Sequence, residues 1–156
     1  MDSDDCAVSE TEARKHADQS ENTVFISPYN DLDVICGQGT IALEIMKQLN
    51  NEVDCIFVPV GGGGMISGIA AYVNCFYPHC KVIGCQPKSN ACMWESIQQG
   101  RILGDEDFAN NPTLSDGTAG GIEVSNGLRS NLVGCIANRI CLAAGLDYVY
   151  TVQRAS

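Results

Sequence analysis

Four consecutive glycines, Gly61 to Gly64, stand between the apolar segment Cys55-Ile56-Phe57-Val58-Pro59-Val60 and a second apolar segment from Met65 to Phe76. The first is short, β-branched and aromatic, the profile of a buried strand. The second is interrupted only by Gly68 and is long enough for three helical turns. Glycines at a strand-to-helix turn remove side chains where the backbone must come close to a ligand. The helix start adds unpaired N–H groups and the positive end of its dipole, so the segment reads as an anion cradle. No Lys or Arg lies between Lys47 and Lys81, so a phosphate bound here would be held mainly by backbone amides.

The flanking pattern places this turn in an α/β fold. Ser9 to Glu21 is polar and reads as a surface helix; Thr23-Val24-Phe25-Ile26 reads as a strand stopped by Ser27-Pro28. From Thr40 to Leu49, Ile41, Ile45 and Leu49 recur every fourth residue, which predicts an amphipathic helix. The strand at 55–60, the helix at 65–76 and a further strand, Lys81 to Gln86, follow with short breaks. A shorter helix is expected from Asn90 to Gln99, then a loop from Gly100 to Asn111 and a second glycine-rich turn at Thr113 to Gly121. Leu128, Leu132, Ile136 and Ile140 restore the helical stripe, and Gly145 is placed to end that helix before a strand at Tyr148 to Val152. Such alternation predicts βαβ units, a parallel sheet in a three-layer α/β/α arrangement, and a ligand site beyond the carboxyl ends of the strands.

Composition narrows the partners. The 156 residues are 45% apolar, enough for one domain with a core. A formal net charge of −10 and a pI near 4.4 argue against nucleic acid or anionic membrane as a partner, since both need clustered cations. No apolar run reaches the roughly 18–20 residues of a membrane span, and the acidic start Met1-Asp2-Ser3-Asp4-Asp5 is unlike a secretory leader. A cytoplasmic location is expected. The nine cysteines, an odd number without a Cys-x-x-Cys pair, read as buried thiols. His79 and Cys80 lack the rest of a metal tetrad, so no metal site is expected; His16 reads as a solvated side chain.

Three phosphate-binding classes compete for the glycines. A P-loop requires a lysine and then Ser or Thr after its last glycine, whereas Met65 follows Gly64. A dinucleotide fold requires an acidic residue at the end of the next strand for the ribose hydroxyls; Gln86 stands there. The third class is a phosphate monoester held by consecutive amides, such as the tail of pyridoxal phosphate. A bare flexible turn is the alternative, and the entropy that four glycines lose on folding weighs against it.

At these residues the chain resembles the threonine dehydratase and serine racemase group of fold-type II pyridoxal-phosphate enzymes. The similar segments are Ser27-Pro28-Tyr29-Asn30-Asp31, Gly37 to Glu44, Val58 to Gly68, Gly84-Cys85-Gln86-Pro87 and Ser115-Asp116-Gly117, in the family's order. The resemblance implies part of the large domain of the tryptophan synthase β-like fold, with 1–123 as its central, phosphate-binding part and 124–156 as a divergent helix-plus-strand tail of the same domain. It further implies that Gly61, Gly62, Gly63 and Gly64, with Met65, wrap the phosphate of pyridoxal 5′-phosphate. Asp116 and Gly117 would pass near its ring, although an ordinary turn also suits them, and Tyr29 would lie beside it. Gly37-Gln38-Gly39 is read as a helix entry shaping the sheet edge.

The implied activity is elimination of water from serine or threonine, giving ammonia and a 2-oxo acid, or racemisation of serine. In the family, both depend on a lysine in a Ser-Phe-Lys-x-Arg-Gly segment. That segment is not in this sequence, nor is the Ser-Ser-Gly-Asn-His-Gly loop or the late Ser-Gly-Gly-Asn segment, and Lys15, Lys47, Lys81 and Lys88 stand in other contexts. No catalytic residue is therefore expected, and the polypeptide alone is expected to be an inactive fragment. Gln86 and Cys92 are poor substitutes for the acidic residues that hold a divalent cation in racemase-type relatives. The alternative is a non-catalytic remnant that associates with a full-length relative, or with itself, through exposed apolar surface.

Overall fold

The computed structural model describes residues 6–87, 91–99, 101 and 149–152. Among these residues four helices, α1 (Cys6–Asp18), α2 (Leu32–Gln48), α3 (Gly64–Phe76) and α4 (Cys92–Gln99), accompany three strands, β1 (Cys55–Pro59), β2 (Lys81–Pro87) and β3 (Val149–Val152). The strands form one parallel sheet in the order β1-β2-β3. Ile56 lies opposite Val82 and Val58 opposite Gly84; further on, Cys85 lies opposite Tyr150. This is the expected α/β class with a parallel sheet.

The sheet has two unlike faces among the described residues. In β1, Ile56 and Val58 are buried while Phe57 is 65% exposed, because side chains alternate across the pleat and only one face meets helix α3. Ile66, Ile69, Ala70 and Val73 of α3 join Val58 and Val60 in the core, with Ala42 and Met46 of α2 and Met93 of α4. Burying each large side chain contributes about 1.5–3 kcal/mol relative to leaving it in water. Helix α2 lies on α3 and crosses it at two glycines: a β-carbon on Gly68 would meet the Ile35 carbonyl oxygen at 2.3 Å and the Gly39 nitrogen at 2.7 Å.

Several elements differ from expectation. Residues 23–26 form no strand; Val24 and Ile26 are 78% and 62% exposed. β-branched residues favour a strand only where a neighbouring strand supplies a ladder, and here Phe25 instead carries the Arg14 guanidinium 4.2 Å from its ring centroid. Helix α2 starts at Leu32, eight residues earlier than Thr40, since the Asp31 carboxylate caps it by accepting from the Asp33 and Val34 amides. Gly37 and Gly39 thus lie inside a helix instead of forming its entry. The buried stripe is Ile35, Gly39, Ala42 and Met46, with Ile41 and Ile45 at its margin and Leu49 exposed. Helix α1 begins and ends three residues before the span 9–21. The cysteines are not uniformly buried: Cys80 and Cys92 are, but Cys36 and Cys75 on helix surfaces are exposed. The helix expected around Leu128 to Ile140 and the turn at 113–121 lie outside the described residues.

Candidate phosphate site

The glycine run begins where β1 stops. The Val60 amide still donates to the Cys85 carbonyl at 2.9 Å, which fixes the turn to the carboxyl end of β2 as well. Gly63 then takes φ 95°, a left-handed conformation that side-chain-bearing residues rarely adopt. It is the N-cap of α3 and, being glycine, offers no capping side chain. The carbonyl of Gly63 faces along the helix, accepting from the Ser67 amide at 3.0 Å and from the fully buried Ser67 hydroxyl at 2.6 Å. The first helical bond is that of Ser67, so the amides of Gly64, Met65 and Ile66 have no partner within the helix.

A helix start that is buried yet has no side-chain cap needs an acceptor from elsewhere. Gly62, Gly63 and Gly64 are buried, with Gly61 and Met65 half-buried at the rim. A phosphate monoester fits this requirement: it supplies several anionic oxygens, and the left-handed turn together with the helix start presents successive N–H groups on one side.

Tyr29 closes another side. A β-carbon on Gly62 would lie 2.4 Å from Cγ of the Tyr29 ring, and one on Gly64 would lie 2.6 Å from the Tyr29 α-carbon. Of the residues singled out in the sequence, Gly61 to Gly64, Met65 and Tyr29 are therefore brought together. Asp116 and Gly117 lie outside the described residues. The Tyr29 hydroxyl donates to the Glu10 carboxylate at 2.6 Å; burial, and then this hydrogen bond, raise the phenol above its ordinary pKa, while Arg14 acts in the opposite sense. The ring is thus a neutral, proton-retaining wall.

Gln86, read from sequence only as a missing carboxylate, has a definite task. Its side chain is 2% exposed; Nε2 donates to the Val60 carbonyl at 3.2 Å and Oε1 accepts from the Trp94 amide at 3.0 Å. The amide ties the residue preceding the glycines to the first turn of α4, and a carboxylate could make only the second of these bonds. Just beyond, burial pushes the Cys92 thiol up to about 12, which keeps it protonated. Glu10 was not legible as part of the site, because nothing local in sequence links residue 10 to residue 29. Among the described residues no group of three or more His, Cys, Asp or Glu could hold a metal ion, and no helix is long and apolar enough to cross a membrane.

Comparison with known proteins agrees with this geometry. Residues 2–140 match the family model described as PALP, pyridoxal-phosphate dependent enzyme, a span that runs past Glu123. The chain is 40% identical over 135 residues to the biosynthetic L-threonine dehydratase IlvA of Burkholderia multivorans, covering 86% of this chain and 24% of that protein. It is 44% identical over 108 residues to the L-threonine ammonia-lyase of Thermotoga maritima, covering 69% and 26%. The chain thus spans about a quarter of the length of these relatives. Among solved structures, the processed threonine deaminase isoform 2 of Solanum lycopersicum superposes with a TM-score of 0.68 at 33% identity, over 84% of this chain and 34% of that one. Maize serine racemase gives 0.71 at 27% identity, over 89% and 39%. A parallel α/β sheet, a glycine turn at its carboxyl edge and a family match over most of the sequence lead to one conclusion: the chain belongs to the family of pyridoxal-phosphate dependent enzymes.

Proposed function

We propose that this chain carries the phosphate-anchoring part of a pyridoxal-phosphate enzyme acting on serine or threonine, as an ammonia-lyase or a serine racemase, in the cytoplasm. The observation that carries the reading is the buried start of α3 on the left-handed Gly63, an N-cap residue with no side chain of its own to cap the helix. When bound, pyridoxal phosphate supplies the electron sink for bond-breaking at the α-carbon of an amino acid. The chain's own residues bind and orient. The amides of Gly61 to Gly64 and Met65 receive the phosphate, the α3 dipole favours its charge, and Tyr29 excludes water from one side of the loop. Asp116 and Gly117 are assigned to the vicinity of the cofactor ring on the resemblance alone. Residues 1–123 are assigned to this anchoring part and 124–156 to a tail of the same domain.

No catalytic residue is assigned. Lys15 is paired with Glu12 at 2.7 Å on α1, and Lys47 and Lys81 are exposed. Titration of ¹⁵N-labelled protein with pyridoxal phosphate tests the proposal. Amide shifts concentrated at Gly61 to Met65, reproduced in part by inorganic phosphate, are expected; shifts elsewhere with none in the loop would overturn it.

A second reading, association with a full-length relative, is favoured by the 65% exposure of Phe57 on a central strand position and of Val24 and Ile26 at 78% and 62%. Sedimentation of the chain with and without a full-length threonine dehydratase tests this reading. A complex supports it, and independent sedimentation rejects it.

A further inference from the structure

The contacts of Tyr29 continue away from the glycine loop into α1. Both oxygens of the Glu10 carboxylate are used: Oε2 accepts the Tyr29 hydroxyl at 2.6 Å, and Oε1 accepts Arg14 Nε at 3.0 Å and the adjoining guanidinium NH₂ at 2.6 Å. Arg14 lies over the Phe25 ring. The carboxylate side chain is only 14% exposed. A continuous chain of contacts therefore runs from Phe25 through Arg14 and Glu10 to Tyr29, and from the Tyr29 ring onto Gly62, while the Tyr29 α-carbon lies against Gly64.

This chain holds a segment that regular structure does not. Residues 23–30 belong to no strand or helix, and the local bonds that shape their end are the Asn30 amide to the Ser27 hydroxyl at 3.0 Å and the Asp31 cap of α2. Neither acts on the Tyr29 side chain. The bond to Glu10 is charge-assisted, short, and spans 19 residues. Without it the ring could rotate about χ1, and the close approach of the ring that requires glycine at 62 would no longer be enforced.

We propose that Glu10 is a positioning residue for the phosphate loop: by holding the Tyr29 hydroxyl it seats the ring against Gly62 and so sets the direction of the loop amides. The inference rests on the assignment of that loop to the cofactor phosphate. Arg14 has a supporting part, fixing the carboxylate so that its second oxygen meets the phenol. A loop aligned before the ligand arrives binds more tightly than one that must be ordered by it.

The test compares the whole chain with its Glu10→Gln, Glu10→Ala, Tyr29→Phe and Glu10→Ala/Tyr29→Phe variants, each shown to be folded by circular dichroism. Affinities for pyridoxal phosphate and for pyridoxal, which lacks the phosphate, are measured by ³¹P and ¹H NMR titration. Glu10→Ala and Tyr29→Phe are each expected to weaken pyridoxal phosphate binding by about three- to tenfold, the range of one ordinary hydrogen bond, because a positioning contact passes only part of its strength to the ligand, while pyridoxal binding stays within twofold. Glu10→Gln, which keeps an acceptor oxygen, is expected to fall between parent and Glu10→Ala. The double variant should be no worse than the poorer single one. Equal weakening for both ligands, or additive losses in the double variant, would overturn the positioning role. If the parent itself binds pyridoxal phosphate no better than pyridoxal, the phosphate assignment fails and takes this inference with it. If the parent shows the preference and all variants retain it, only the Glu10 role fails.

Discussion

The crossing of α2 and α3 makes a prediction in which one chemical change has opposite signs at two positions. Gly→Ala inside a helix is worth about 1 kcal/mol in its favour from propensity alone. At Gly37, an exposed position in α2, a β-carbon would meet nothing within 4 Å, so the full gain should appear. At Gly68 the same methyl would lie 2.3 Å from the Ile35 carbonyl oxygen, 2.7 Å from the Gly39 nitrogen and 2.9 Å from Gln38 Cβ. The two nearest atoms are backbone of the opposite helix and cannot rotate away. The overpacking cost therefore belongs at the upper end of its usual range, about 3 kcal/mol, leaving Gly68→Ala roughly 2 kcal/mol destabilised after the propensity gain.

Gly39→Ala is the intermediate case. Its nearest neighbour is the Gly68 carbonyl oxygen at 3.3 Å, a contact tight enough to offset most of the propensity gain, so a change near zero is expected. Thermal unfolding followed at 222 nm reads all three. With about 2–4 °C per kcal/mol for a chain of this size, Gly37→Ala should rise by about 3 °C, Gly39→Ala should hardly move, and Gly68→Ala should fall by about 4–8 °C. Should Gly68→Ala melt with or above Gly37→Ala, the helices do not cross this closely and the packing argument fails.

Other substitutions probe the framework of the site. Gln86→Glu removes the donor to the Val60 carbonyl and buries a charge, which should cost about 3 kcal/mol at neutral pH. Because burial raises the folded carboxyl pKa above its unfolded value near 4.3, this variant should be most stable in acid and lose stability as pH rises; urea melts at several pH values that run parallel to the parent's would contradict it. Cys36 and Cys75 should react with iodoacetamide in the native state far ahead of Cys92, whose thiol stays protonated up to about 12, and peptide mapping gives the order. Since the Cys92 thiol has a pKa raised from 9.0 to about 12 on folding, its contribution to stability is complete below pH 9 and is lost between pH 9 and 12; Cys92→Ser should flatten that slope. Asp31→Ala should destabilise by about 1 kcal/mol in chemical denaturation through loss of the α2 cap, with Asp31→Asn close to parent.

Periodicity and turn chemistry carried much of this fold. The β1–α3–β2 unit was legible because its strands are short apolar runs, its helix is unbroken for three turns, and a glycine turn separates them. Legibility ended where tertiary contacts overrode local preference. Val24 and Ile26 have strand-forming side chains, yet the segment makes no ladder and Phe25 holds a guanidinium. Gly37 and Gly39 look like breakers before a helix, but Asp31 starts the helix ahead of them and Gly39 packs against Gly68 across the crossing. At the site, the glycine run was legible as a strand-to-helix turn open to an anion, and Tyr29 only through the resemblance to a known family. Glu10 was not, since its role depends on a contact 19 residues away, and the two hydrogen bonds made by Gln86 depend on Val60 and the first turn of α4 meeting at its side chain.

The glycine run itself changes meaning under this geometry. From sequence, four glycines argued for a ligand because a plain turn gains nothing from their entropy cost. In the folded chain, Gly62 and Gly64 are already required by the approach of Tyr29, and Gly63 by its left-handed φ of 95°. Glycine content is thus satisfied by packing at these three positions and no longer points to phosphate by itself. What does point there is the buried start of α3, whose N-cap glycine has no capping side chain, together with the family match across 2–140. It follows that Gly62→Ala is a poor probe of the cofactor: it would displace Tyr29 and disturb the loop whether or not a phosphate binds. A discriminating probe leaves the ring seated and alters only the amides' charge environment. Met65→Asp compared with Met65→Asn, at the half-buried rim of the first helical turn, does this: both lose the packing of Met65 on the core, and only the charge differs. Relative to the Asn variant, the carboxylate should stabilise the free helix start by about 0.3–1 kcal/mol while repelling a phosphate, so thermal stability should be higher and pyridoxal phosphate affinity lower. An Asp variant that is more stable than the Asn variant and binds equally well would place the phosphate elsewhere.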